Sequence, residues 1–273
     1  MKYIPYVNIK MGTKSVPRRS YGNTLPLTQI PFGMAPFCIQ TESREGWFYH
    51  PDHEFAEGVR LTHQPSPWIN DYGTFLMTPQ NDIVSNSPAG AWSGYRIQDS
   101  VQRPDYLKLT FLRSNATFEL TPTERGAAIR VTYGDERPSV LSFLPIKGNY
   151  TYRFDEKTNT LYGTTDGHSM DIAVDFKMYF VVRFLGDCVD ASRTTVGGSF
   201  THVGVKGHKI VEGEDIKRGV VVTSATYKEK NSDGNPQVIV KVAGEIKYDV
   251  TPETFKISNN DGAVAVSAVR NVN

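Results

Sequence analysis

Between Gly22 and Gln80 the sequence gathers three of its six histidines and two of its three tryptophans. Trp47 and Trp68 offer flat apolar faces with an N–H at the rim, and His63, Asn70, Asp71 and Tyr72 set donors and acceptors close by. A pocket for a polyhydroxylated ring needs that mixture, a face to stack on and directional polar groups beside it. Trp47, His63, Trp68, Asp71 and Tyr72 are therefore candidate sugar-binding residues. The same residue types also suit a plain interior, with Trp47, Phe48 and Tyr49 as core packing and His63 as a structural histidine. Composition alone does not choose between these readings.

Other chemistries find less support. His50-Pro51-Asp52-His53 lies beside Glu54 and Glu57, but the proline denies the helical i, i+4 geometry of a zincin, so a solvated polar loop is expected there and no metal ligand is assigned. Glu119 and Glu124 fall on or beside a strand pattern and read as surface charges. Glycine-rich phosphate loops, Cys-x-x-Cys pairs and Gly-x-Ser-x-Gly elbows are missing from the sequence, which removes the common cofactor and nucleophile readings. The two cysteines, Cys38 and Cys188, sit in apolar company and read as buried free thiols. No catalytic residue is assigned to this chain.

The elements that must position these groups read as strands. Leu107, Leu109 and Phe111 alternate with Lys108 and Thr110, and Ile129, Val131 and Tyr133 with Arg130 and Thr132. The longest set is Ile172, Val174, Phe176, Met178, Phe180, Val182 and Phe184, whose parity fixes the register firmly. A last strand is expected over 264–270. Tyr133-Gly134-Asp135, Lys147-Gly148-Asn149, Thr165-Asp166-Gly167 and Asn260-Asp261-Gly262 read as hairpin turns. Asp190 to Gly198 reads as a long surface loop. The stretch from Gly22 to Gln80 largely lacks either period and reads as site-building loops.

Strands at such spacing with no amphipathic helix between them predict an all-β chain, a large antiparallel β-sandwich with few or no helices, as one domain over residues 1–273. Thirty basic against 29 acidic residues leave a formal charge of +1, which gives no electrostatic case for a nucleic acid or an anionic membrane as partner. The start lacks the apolar core of an export signal and no apolar run is long enough to span a bilayer. A bacterial cytoplasmic location is expected, or an exported one where a signal has been removed.

A family likeness joins these observations. The order Tyr6 to Thr13, Gly22-Asn23-Thr24 with Pro26, Pro31-Phe32-Gly33-Met34, Gly46-Trp47-Phe48-Tyr49, and Asp71 with Gly73, Met77 and Pro79 resembles the amino-terminal region of glycoside hydrolase family 92, the calcium-dependent bacterial α-mannosidases. Trp92-Ser93-Gly94-Tyr95, Tyr106-Leu107-Lys108-Leu109 and Phe118 to Arg125 continue the likeness, which weakens after about residue 185. Two blocks depart: the family's Ser-His-x-His-Leu-Ser-Gly is here Arg60-Leu61-Thr62-His63-Gln64-Pro65-Ser66, with one histidine of two, and its Gly-Asp is here Tyr72-Gly73-Thr74.

The resemblance implies a large β-sandwich (a supersandwich) that packs against a helical catalytic domain absent from this chain. It implies that α-mannoside glycans are the substrates, that hydrolysis inverts, and that the acid, the base and most of a calcium site belong to the helical domain. No metal is expected in this chain alone. It carries substrate contact over to Trp47 and His63, and Asp71 would touch the sugar or brace its loop. A free-standing carbohydrate-binding module and a purely structural sandwich are the alternatives.

Overall fold

The computed structural model describes residues 3–206, apart from 17, 45, 65, 69–70, 169–174 and 186. It also describes strand backbone at 218–226, 229–230, 236–237, 246–250, 253–260 and 263–267. Two antiparallel sheets dominate. The smaller runs Phe37–Gln40, Gly58–Leu61, Phe75–Asn81, Ser139–Leu144, Thr201–Val205, Val189–Val196 in spatial order. The larger runs Tyr150–Asp155, Thr160–Thr165, Met178–Phe184, Arg218–Thr226, Gly126–Tyr133, Ala116–Pro122, Leu107–Phe111, Val101–Gln102. Single 3-10 turns at Ile4–Tyr6 and Ile97–Asp99 are the only helical elements among the described residues.

The sheets pack face to face, as alternating apolar strands require. Phe75 of the smaller sheet stacks on Phe180 of the larger with ring centroids 4.4 Å apart, and Phe143 meets Phe184 edge-on at 6.4 Å. Leu107, Leu109 and Phe111 point into this core while Lys108 and Thr110 are half-buried, and Met178, Phe180, Val182 and Phe184 are buried on one parity. Phe176 precedes that strand, and Ile172 and Val174 lie outside the described residues. The last strand spans Ala263–Ser267 and pairs with Glu253–Asn260; residues 268–270 lie outside the description.

Four expectations are corrected. The Gly22–Gln80 stretch is not all loop: it supplies Phe37–Gln40, Gly58–Leu61 and Phe75–Asn81, each buried at every position. Alternation is lost because both faces are covered, as in a parallel sheet wrapped by helices. Val59, Leu61, Phe75 and Met77 enter the core between the sheets, whereas Gln40, Arg60, Thr78 and Gln80 lie on the outer face, roofed by the 41–57 and 82–92 segments. Tyr133-Gly134-Asp135 and Lys147-Gly148-Asn149 are not hairpins but carry the chain between sheets. The hairpin after Leu107–Phe111 instead turns at Asn115 (φ 47°), and the one after Tyr150–Asp155 at Asn159 (φ 49°). Asparagine tolerates this left-handed geometry.

The third correction concerns Asp190–Gly198. Most of it belongs to the edge strand Val189–Val196, whose register against Thr201–Val205 shifts between Asp190 and Thr195. Small and polar residues there serve an exposed bulged edge rather than a loop. At the other edge, Phe37 exchanges both backbone hydrogen bonds with Thr28. Glu119, expected as a surface charge, instead takes both arms of Arg130 at 2.5 and 2.7 Å and accepts the Tyr106 hydroxyl.

Candidate functional site

Asp71 is the hub of the candidate site. It is 4 % exposed, and each carboxylate oxygen accepts two hydrogen bonds. Oδ2 accepts from Arg60 Nη2 at 2.7 Å and Thr62 Oγ1 at 2.6 Å; Oδ1 accepts from the backbone amides of His63 at 2.8 Å and Tyr72 at 2.9 Å. A buried carboxylate needs such a full set, with a cation among its donors. Asp71 therefore ties the end of the Gly58–Leu61 strand to the segment that enters Phe75–Asn81.

Two ring pairs flank that hub. The imidazole of His63 stacks on the Tyr72 phenol, with centroids 4.6 Å apart and planes within 16°, and its Nδ1–H donates to the Tyr72 carbonyl at 2.8 Å. Burial pushes the His63 imidazole below its ordinary pKa; the Asp71 carboxylate and the carbonyls of Tyr72 and Met34 pull the other way. Tyr72 also meets Phe176 edge-on and pairs across an isolated bridge with His168. Trp47 and Trp68 form the second pair, edge to face with centroids 4.6 Å apart, and Trp68 is 57 % exposed. A Cβ on Gly46 would lie 2.4 Å from the Pro67 carbonyl, so glycine is what lets the two tryptophan segments close on each other. Gln64 bridges them by donating to the Gly46 carbonyl at 3.1 Å, while its own Oε1 and the Trp47 N–H are buried without a hydrogen-bond partner among the described residues. A buried donor and a buried acceptor thus lie at the tryptophan pair.

All five candidate residues are therefore described, in two clusters: His63, Tyr72 and Asp71 in direct contact, Trp47 and Trp68 in another. Asn70, the remaining polar candidate, lies outside the described residues. Sequence reasoning missed the residues behind Asp71. Arg60, 1 % exposed, lies with its guanidinium 4.1 Å over the Phe48 ring and donates to Gln40 Oε1 at 3.3 Å. Gln40 in turn donates to Glu57 at 2.7 Å, and Ser43 donates to the other Glu57 oxygen at 2.6 Å. The available signal was an arginine inside the otherwise apolar Gly58–Leu61 strand.

Glu57 thus belongs to this network and not with His50 and His53. His53 stacks on Phe55 and meets Thr41 Oγ1 at 3.1 Å, and Asp52 pairs with Lys14. Among the described residues no three His, Cys, Asp or Glu side chains converge as metal ligands. Asp71 accepts two hydrogen bonds on each carboxylate oxygen and Glu57 one on each, so both carboxylates are engaged within the protein.

The outer face carries a second polar row at its far end. Gln80 donates to Ser142 Oγ at 2.8 Å, Ser142 lies 2.8 Å from His202 Nδ1, and His202 Nε2–H donates to Asn86 Oδ1 at 2.8 Å. All but Asn86 are buried. Burial pushes the His202 imidazole down to about 4. The Ser142 hydroxyl of this neutral His-Ser-Asn row is fully buried, so the row serves packing.

A model of the glycosyl hydrolase family 92 N-terminal domain matches residues 6–245. No curated protein matches. Among solved structures, a family 92 inverting mannosidase from Bacteroides thetaiotaomicron superposes with a TM-score of 0.70 at 27% identity, over 82% of this chain and 31% of that one. A family 92 α-mannosidase from the same organism gives 0.62 at 20% identity, covering 83% and 33% of the two chains. A further family 92 glycosyl hydrolase gives 0.61 at 14% identity, covering 82% and 32%; these last two share the fold alone. The chain spans about a third of the length of each of these structures. The family match over residues 6–245, on a two-sheet fold shared with these enzymes, shows that the chain belongs to glycosyl hydrolase family 92 as its N-terminal domain.

Proposed function

We propose that this domain forms one wall of an α-mannoside pocket and presents a docking face to a helical catalytic domain that hydrolyses the glycan with inversion. The observation that carries the reading is the pair of aromatic clusters, His63 on Tyr72 and Trp47 against Trp68, with the buried Gln64 acceptor and Trp47 donor unpartnered among the described residues. Aromatic ring faces with polar groups near them are what a pyranose needs.

Hydrolysis needs an acid and a base held about 6.5–9.5 Å apart across the sugar. Asp71 and Glu57, the carboxylates in the network behind these clusters, are buried and hydrogen-bonded on both oxygens, so on this reading the reacting carboxylates come from the helical domain. Asp71 braces the loop. The docking face is supported by Tyr6, Met11, Tyr21, Phe32 and Met34, all more than half exposed, with Phe32 fully so and held at φ 62°. A large side chain kept in solvent on a costly backbone conformation suits an anchor for a partner surface.

Replacing Trp47 or His63 by alanine in the complete protein tests the wall. A KM for an α-mannoside raised about tenfold or more supports it; unchanged KM and kcat in both variants would leave only a structural role. The exposure of Trp68 favours one other reading, a binding module that works alone. Calorimetric titration of the 273-residue chain with mannose and mannobiose separates the two, since heat at millimolar sugar is expected only for a preformed site.

A further inference from the structure

We propose that Arg60 is a positioning residue for sugar recognition, acting through Asp71 on the stacked His63–Tyr72 pair. The inference rests on the reading that this pair lines the pocket. Its geometry is independent of that reading. The guanidinium is fully buried, lies over the face of Phe48, and gives Nη2 to Asp71 Oδ2 and Nη1 to Gln40 Oε1. Asp71 passes the constraint on, because its other oxygen accepts the amides of both His63 and Tyr72. One carboxylate therefore fixes the backbone of both rings, and one cation fixes the carboxylate.

The far side of Arg60 is anchored as firmly. Gln40 is oriented by Glu57, and Glu57 by Ser43, so the cation sits in a chain of hydrogen bonds running across Phe37–Gln40 into the roof segment that carries Trp47. Thr78 Oγ1 donates to the Glu57 carbonyl at 2.6 Å and ties that roof to the Phe75–Asn81 strand. Arg60 thus couples the two aromatic clusters, with His63 and Tyr72 on its Asp71 side and Trp47 on its Phe48 side. Lysine cannot do the same, because a point charge lacks the planar fork that reaches Asp71 and Gln40 together while lying on Phe48.

The test is a double-variant cycle in the complete protein, read by steady-state kinetics on an aryl α-mannoside and by thermal unfolding. Arg60→Met and Asp71→Asn are each expected to raise KM about tenfold with kcat within about threefold, and the double variant is expected to be no worse than either single, because the two act as a unit. Arg60→Lys, which keeps the charge, is expected to show the same rise in KM with a smaller loss of Tm. Should Arg60→Met fail to fold, Arg60→Lys carries the measurement. An unchanged KM in folded Arg60 variants, or additive effects in the cycle, overturns the proposal. His63→Ala separates it from the underlying reading: a raised KM there with no effect at Arg60 sinks this inference alone, whereas no effect at either His63 or Trp47 sinks the pocket itself.

Discussion

The outer face of the smaller sheet holds two buried polar rows, and they are built differently. The row around Gln40, Glu57, Arg60 and Asp71 is ionic and lies against residues that reach the surface, His63, Tyr72 and Trp47. The row of Gln80, Ser142, His202 and Asn86 is neutral, and its histidine is kept so by burial. Burying ions costs more than burying neutral groups and adds little net stability over apolar packing. The neutral row shows that this face can satisfy its polar groups without ions. The ionic row's distinguishing return is directional: a carboxylate that orients two backbone amides at once.

The contrast can be broken most severely at the ionic row. Asp71→Ala leaves Arg60 buried without its carboxylate and is expected to cost about 3–5 kcal/mol, measured by denaturant unfolding. A loss below about 1 kcal/mol would mean that the row is not sealed. Ser142→Ala, in the neutral row, is expected to cost about 1–3 kcal/mol by orphaning Gln80 and His202.

Acid sharpens the comparison. His202 titrates at about 4 in the folded chain and at about 6.5 when unfolded. Between these values the unfolded state binds more protons, so the stabilising contribution is complete above about pH 6.5 and is lost as pH falls towards 4. His202→Gln should flatten that slope of Tm against pH relative to the parent; an identical slope would remove His202 from the account. The smallest effect belongs to the exposed Lys206–Asp187 pair, where Lys206→Ala is expected to change stability by under about 0.5 kcal/mol.

How much of this was legible beforehand follows burial. Strands with one solvated edge or face, such as Leu107–Phe111 and Gly126–Tyr133, announce themselves by alternation. Phe37–Gln40, Gly58–Leu61 and Phe75–Asn81 do not, because the roof segments cover their second face and permit Thr, Gln and Arg where water would otherwise lie. The residues of the candidate site were named from their types, but their division into a His63–Tyr72–Asp71 cluster and a Trp47–Trp68 pair was not, since it depends on strand pairing. Arg60 stands in a block that departs from the family pattern, and reading that block for its missing histidine hid the arginine. Turns failed for another reason: Gly134 and Gly148 mark crossings between sheets as readily as hairpins, and nothing local distinguishes the two.

The edges of the smaller sheet have a consequence for how the domain behaves at high concentration. Fibril growth by strand addition needs a straight run of free amides and carbonyls. At one edge Thr28 occupies Phe37, and at the other the register shift between Asp190 and Thr195 breaks the run. Clustering of this domain in solution is therefore expected to proceed through exposed aromatic side chains such as Phe32, yielding detergent-reversible oligomers that lack a cross-β signature.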